Sequence, residues 1–182
     1  MYIKSSLATE TRLTIEVALA LVNDLGDIDV RATLLDAGFS RSASASEASV
    51  RRLEDRLGDL SPLVRSLPDL DVDSAARRVN EELTELPIAP AVVDHDGVGP
   101  HLHWTATTAR FDDQVVADVL MAFAQELCDN GTGRFGRCAA TDCDDVFYDA
   151  TRNHSKRFCA DPRCASRTHT ADHRARQAAL GD

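Results

Sequence analysis

Four of the chain's five cysteines fall within one stretch, CAATDCDDVFYDATRNHSKRFCADPRC, at positions 138, 143, 159 and 164. Their spacing, C-x4-C-x15-C-x4-C, makes two matched pairs. Four thiolates satisfy a tetrahedral zinc ion at about 2.3 Å and leave no open position, so the chemistry expected of Cys138, Cys143, Cys159 and Cys164 is one structural Zn2+ rather than catalysis. Disulfides would need an oxidising compartment. Redox chemistry uses C-x-x-C, which this stretch lacks. His154, His169 or His173 could replace a cysteine in a mixed site, but His169 and His173 stand four residues apart in a basic segment and are expected to face solvent or phosphate. Cys128, next to Leu127 in an apolar pattern, is expected as a small core residue.

The elements that must hold these thiols follow from the same stretch. Residues 145–148 are expected as a short strand, 149–155 as a turn containing Asn153, and 156–158 as the return strand, so that both cysteine pairs meet at the open end. Asp161 and Pro162 have the order of an N-cap and a first helical residue. A helix over 163–180 follows, with Cys164 in its first turn. Arg163, Arg167, Thr170 and Arg174 then share one helix face, a geometry suited to phosphates or a nucleic-acid groove. Arg152, Lys156 and Arg157 add positive charge at the turn. The alternative is a solvated charged helix, and Asp142, Asp144, Asp145 and Asp149 leave the module basic on one side only.

The net charge of −10 hides a division along the chain. Residues 1–133 hold 11 Lys and Arg against 23 Asp and Glu, whereas residues 134–182 hold 9 against 7. A phosphate backbone responds to charge within a Debye length, about 8 Å, so the local excess matters more than the total. With 182 residues and 43% hydrophobic composition the chain can bury one core and carry a small appendage. The amino terminus is interrupted by Glu10, Arg12 and Glu16, and no 18-residue apolar span occurs. A cytoplasmic protein without a membrane segment is expected, with thiols kept reduced.

The first 133 residues are expected to form a mainly helical domain. Leu13, Val17, Ala20, Leu21 and Leu25 recur at helical spacing and stop at Gly26. A second helix is expected over 46–57, on Val50, Leu53 and Leu57, ending at Gly58. The Ser-rich GFSRSASASEAS before it is expected as a mobile loop. A third helix starts at Asp73 as N-cap and buries Ala76, Val79, Leu83 and Leu86. Residues 88–108 suggest a β-hairpin turning at Asp96-Gly97, and 112–129 carries the longest apolar stripe. Asn130 to Gly133 is the expected boundary between domains 1–133 and 134–182. The fold class expected is α+β, with a treble-clef-like zinc module after the helical domain.

The carboxy-terminal stretch resembles the CGNR zinc-finger family. The resemblance rests on the first cysteine pair, then Phe147-Tyr148-Asp149-Ala150-Thr151-Arg152-Asn153, then Lys156-Arg157-Phe158-Cys159, and then Cys164-Ala165-Ser166-Arg167 before a basic helix. LALVNDLG, at 19–26, is similar to the ABATE domain that precedes this finger in bacterial proteins. The resemblance implies a stress-induced transcriptional regulator. In the tetrad that names the family, Gly and Asn are replaced by Ala165 and Ser166. Ala in place of Gly favours helix by about 1 kcal/mol and disfavours positive φ, so a close backbone contact at 165 would be lost while the four ligands remain.

The function expected is that of a DNA-binding regulator whose partners are DNA and, as a homodimer, a second copy. Arg152, Lys156, Arg157, Arg163, Arg167 and Arg174 are its expected nucleic-acid contacts. The alternative is an interaction module in which the zinc segment clasps the acidic domain and no nucleic acid is bound. An enzyme is not expected: His95, His101 and His103 with Asp94 and Asp96 could be drawn as a hydrolytic metal cluster, but no nucleophile motif or phosphate loop accompanies them.

Overall fold

A computed structural model describes residues 7–94 and 99–180. The expected Asp96-Gly97 turn and His95 lie outside the described residues. Helix α1 spans Leu7–Asn23, α2 Val30–Asp36, α3 Glu47–Ser66, α4 Val72–Thr84, α5 Phe111–Asn130 and α6 Pro162–Leu180. Strands β1 (Ile88–Val93) and β2 (His101–Thr105) pair antiparallel, as do β3 (Phe135–Arg137) and β4 (Val146–Tyr148). The chain is thus α+β, with the cysteine module after the helical body, as its sequence leads one to expect.

Helix α5 is the element around which the rest packs. Val115, Val116, Ala117, Val119, Leu120, Phe123 and Leu127 are all buried, an apolar surface too wide for one neighbour. Accordingly α1, α3 and α4 all pack against it, and β2 covers a further part. Asp112, fully buried in its first turn, is held by Arg52, Arg56 and Arg110, so the charge is not left unpaired.

Several boundaries differ from expectation for physical reasons. Helix α3 does not stop at Gly58 but runs through it and Pro62, because Leu60, Leu63 and Val64 continue the buried stripe of Val50, Leu53 and Leu57. That burial outweighs a glycine cost of about 1 kcal/mol. On α1 the buried set is Ile15, Ala18, Leu19, Leu21 and Val22, while Leu13 is 44% exposed. Helix α4 is capped by Asp71 rather than Asp73, its side chain accepting the Ser74 N–H at 2.7 Å. Ala75 is buried there rather than Ala76.

Helix α2 has only seven residues, too few to show a period, and is capped by Asp29, which accepts the Ala32 N–H at 3.0 Å. The serine-rich stretch expected as a mobile loop forms a 3-10 turn at Ser40–Ser44. Arg31 organises it, donating to the carbonyls of Ser42 at 2.9 Å and Ala45 at 2.6 Å while pairing with Glu47 at 2.7 Å. Cys128, expected in the core, is exposed near the end of α5, past the buried stripe.

Candidate metal centre

The strand expected at 145–148 forms, but its partner is β3, not residues 156–158. Phe135 pairs with Tyr148, Gly136 with Phe147 and Arg137 with Val146. The reason lies in the core: Phe135, Val146 and Tyr148 all join the cluster built by the helices, with the Phe135 ring edge-on to Phe123 and to Tyr148, both at 5.9 Å. The 156–158 segment offers no comparable apolar face. Gly136 is required where it stands, since a Cβ there would lie 2.5 Å from the Phe147 ring.

The β3–β4 hairpin is bonded to the helical body on several sides. Asn23, at the end of α1, donates to the Val146 carbonyl at 2.8 Å and accepts the Val146 N–H at 3.1 Å. The Tyr148 hydroxyl donates to the buried Glu126 carboxylate at 3.0 Å. Arg137 pairs with Asp69 and donates to the Arg65 carbonyl at 2.7 Å.

The connection between β3 and β4 carries the first cysteine pair. The Cys138 N–H bonds the Asp145 carbonyl at 2.9 Å, and the Cys143 N–H bonds that of Ala140 at 3.2 Å, which closes a tight knuckle. Asp149 then shapes the following loop, its carboxylate accepting the N–H groups of Thr151 and Lys156, both at 2.8 Å. His154 takes a positive φ of 49° at the tip. The Ala139 N–H bonds the Arg157 carbonyl at 2.8 Å, bringing the second pair alongside the first. Asp161 accepts the Arg163 N–H at 2.9 Å through its side chain, and α6 begins with Cys164 in its first turn. Ala165 and Ser166 lie within that helix, in keeping with loss of the glycine.

The four sulfurs all lie within 4.8 Å of one another. The Cys143–Cys159 and Cys159–Cys164 Sγ separations are 3.8 and 3.7 Å. A tetrahedral ion with bonds of about 2.3 Å has edges of about 3.8 Å, so the donor set fits zinc-type coordination. Cys138, Cys159 and Cys164 are buried and Cys143 is half-buried.

Burial pushes the Cys143 thiol up to about 12 and raises Cys159 as well, against backbone N–H donors from Asp145 and Asp161 respectively. At Cys138 burial is outweighed by N–H donors from Cys159 and Ala140, which hold the thiol below its ordinary value. Four such thiols cannot all ionise side by side without a cation among them. An ion held by all four sulfurs would tie the hairpin to α6 and have no coordination position left open.

The basic residues fall into distinct settings. Arg167 Nη2 lies 3.4 Å from Cys164 Sγ and 3.2 Å from Asp142 Oδ1, so it belongs to the surroundings of the sulfur cluster. Arg163 pairs with Asp161 at 2.9 Å. Lys156 donates to the Tyr148 carbonyl at 3.2 Å with its Nζ 5.1 Å from the Phe147 ring centroid. Arg157 lies over Phe158, 5.6 Å from its centroid. Arg152 and Arg174 are exposed, as are His169 and His173. The signal for the Arg167 contact in the sequence is its position three residues after Cys164, about one helical turn on.

Elsewhere, His101 and His103 face each other on β2 with Nε2 atoms 3.1 Å apart. Among the described residues, the cysteines form the metal-capable group of three or more His, Cys, Asp or Glu side chains. No described helix is long and apolar enough to cross a membrane. No curated protein sequence matches the chain. Residues 134–177, which carry the hairpin, the four clustered cysteines and most of α6, match the family described as the CGNR zinc finger.

Proposed function

We propose that the protein is a cytoplasmic, zinc-dependent DNA-binding regulator of transcription, without enzymatic activity, that uses α6 and the 150–157 loop to engage the DNA backbone. Zinc, when bound, supplies the folding free energy that orders a module poor in apolar residues. Cys138, Cys143, Cys159 and Cys164 would hold it. The helix leaves that centre and extends away from the body: every residue from 169 to 179 is exposed. That single observation carries the proposal, because a helix rooted in the cysteine cluster and exposed over residues 169–179 is free to enter a groove.

The test is fluorescence anisotropy of the full chain, zinc-loaded, with labelled duplex DNA across a salt series. Binding whose affinity falls steeply with salt, and which is lost on chelation, is expected. The absence of DNA binding by the loaded chain would refute it. The full chain is needed because Phe135, Val146 and Tyr148 are part of the main core and would be uncovered in an isolated finger.

A second reading, that the module clasps the acidic body and binds no nucleic acid, is favoured by the bonds from Asn23, Glu126 and Asp69 to the hairpin. It requires that the cysteine variants lower thermal stability while the loaded wild type ignores DNA.

A further inference from the structure

We infer that duplex DNA lies against the face of α6 that carries His169, His173 and Arg176, continuous with Arg157 and Phe158, and not against the face of Arg163, Arg167 and Arg174. The inference rests on the DNA-binding reading and specifies the surface that performs it.

At about 100° per residue, Arg163, Arg167, Thr170 and Arg174 occupy one arc of α6, and His169, His173 and Arg176 another, with centres about 120° apart. A ring contact decides which arc adjoins the basic loop. Phe158 meets His169 edge-on with centroids 5.6 Å apart. Arg157 lies over the same Phe158 ring. Arg157, Phe158 and His169 therefore form a row, and helical periodicity extends it through His173 to Arg176, all on exposed helix. The guanidinium and imidazole groups along this row are phosphate donors.

The Arg163–Arg174 arc is engaged at its base. Arg167 is committed to Asp142 and the Cys164 sulfur, and Arg163 to Asp161. Asp24, Asp145 and Asp161 share one electrostatic neighbourhood with Arg163. A phosphate approaching there would have to break formed ion pairs in the field of several carboxylates. The His169–Arg176 arc has one carboxylate beside it, Asp172, about 40° around the helix from Arg176, against the three that surround Arg163.

Arg174 and Arg176 provide a matched comparison. Both are exposed, both lie beyond Cys164 by about three turns of α6, and each changes charge equally on substitution. Binding of the zinc-loaded full chain to a fluorescein-labelled duplex is measured across a NaCl series, with circular dichroism and zinc content checked for each variant. Arg157→Ala and Arg176→Ala are expected to weaken binding about three- to tenfold each and to reduce the salt slope by about 0.9 per lost contact. Arg174→Ala is expected to leave both within about twofold. Loss in Arg174→Ala with Arg157→Ala and Arg176→Ala silent, or equal loss in all three, overturns the inference while leaving DNA binding intact. A wild type that binds no duplex removes the functional proposal and this inference together.

Discussion

Arg167 bridges the two halves of the sulfur cluster: its Nη2 stands 3.4 Å from Cys164 Sγ, on α6, and 3.2 Å from Asp142 Oδ1, within the first knuckle. Four thiolates around one divalent ion leave a net charge of −2, and a guanidinium at this distance offsets part of it. Outer partners of metal ligands typically alter affinity by about 10- to 100-fold. Arg167→Ala is expected to lower zinc affinity by at least about tenfold in competition with a chelating dye, with Arg167→Lys retaining part of it. Equal affinity in all three proteins would show that the contact does not support the metal.

Metal uptake should be coupled to protons. Burial raises Cys143 to about 12, so in the metal-free chain this thiol is protonated at neutral pH and must ionise when it binds. Calorimetric titration with Zn2+ in two buffers of different ionisation enthalpy should therefore show release of about two to four protons. Apparent affinity should fall as pH is lowered. Proton-neutral binding would mean that thiols are not the ligands.

Asn23 satisfies both backbone groups of Val146 and so joins α1 to the finger. Asn23→Ala leaves a partly buried donor and acceptor without partners, at a cost of about 1–3 kcal/mol. Urea unfolding should show a lower midpoint. An unchanged midpoint would imply that water replaces the side chain without loss.

Gly136 faces the Phe147 ring across the hairpin, 2.5 Å from where a Cβ would sit. Phe147 is buried, so its ring has little room to retreat. Gly136→Ala should destabilise by about 1–3 kcal/mol through overpacking, and Gly136→Ala/Phe147→Leu should recover part of that loss. A stable single variant would show that the strand can shift.

Asp118, on α5, is raised by burial from its ordinary 3.8 to about 7. A carboxyl raised in the folded state contributes most below its unfolded value, and that contribution declines as pH climbs towards about 7 and is constant above. Asp118→Asn removes the ionisation. Its stability relative to wild type should grow between pH 4 and pH 7, by about 3 kcal/mol, in paired thermal melts. A difference independent of pH would show that Asp118 is solvated.

The cysteine chemistry was legible because ligand spacing is a local property of the chain, and the α6 start because Asp161-Pro162 is a local cap. Helix α5 was legible because its apolar pattern is long. Helix α2 was not, since seven residues hold less than two full turns. The end of α3 was misplaced because Gly58 is a local signal that Leu60, Leu63 and Val64 override through contacts made far away in sequence.

The sequence by itself determined the two cysteine pairs that cluster, the basic character of the last helix and the α+β composition, since each depends on residue type and short spacing. Tertiary structure alone decided that β4 pairs with β3, because that choice depends on which flanking segment can bury Phe135 against Phe123 and Tyr148. It alone placed Arg167 on Asp142, 25 residues earlier, and set Phe158 against His169. Arg167 becomes distinct from Arg174 and Arg176 only when folding brings Asp142 against it, while the other two stay exposed.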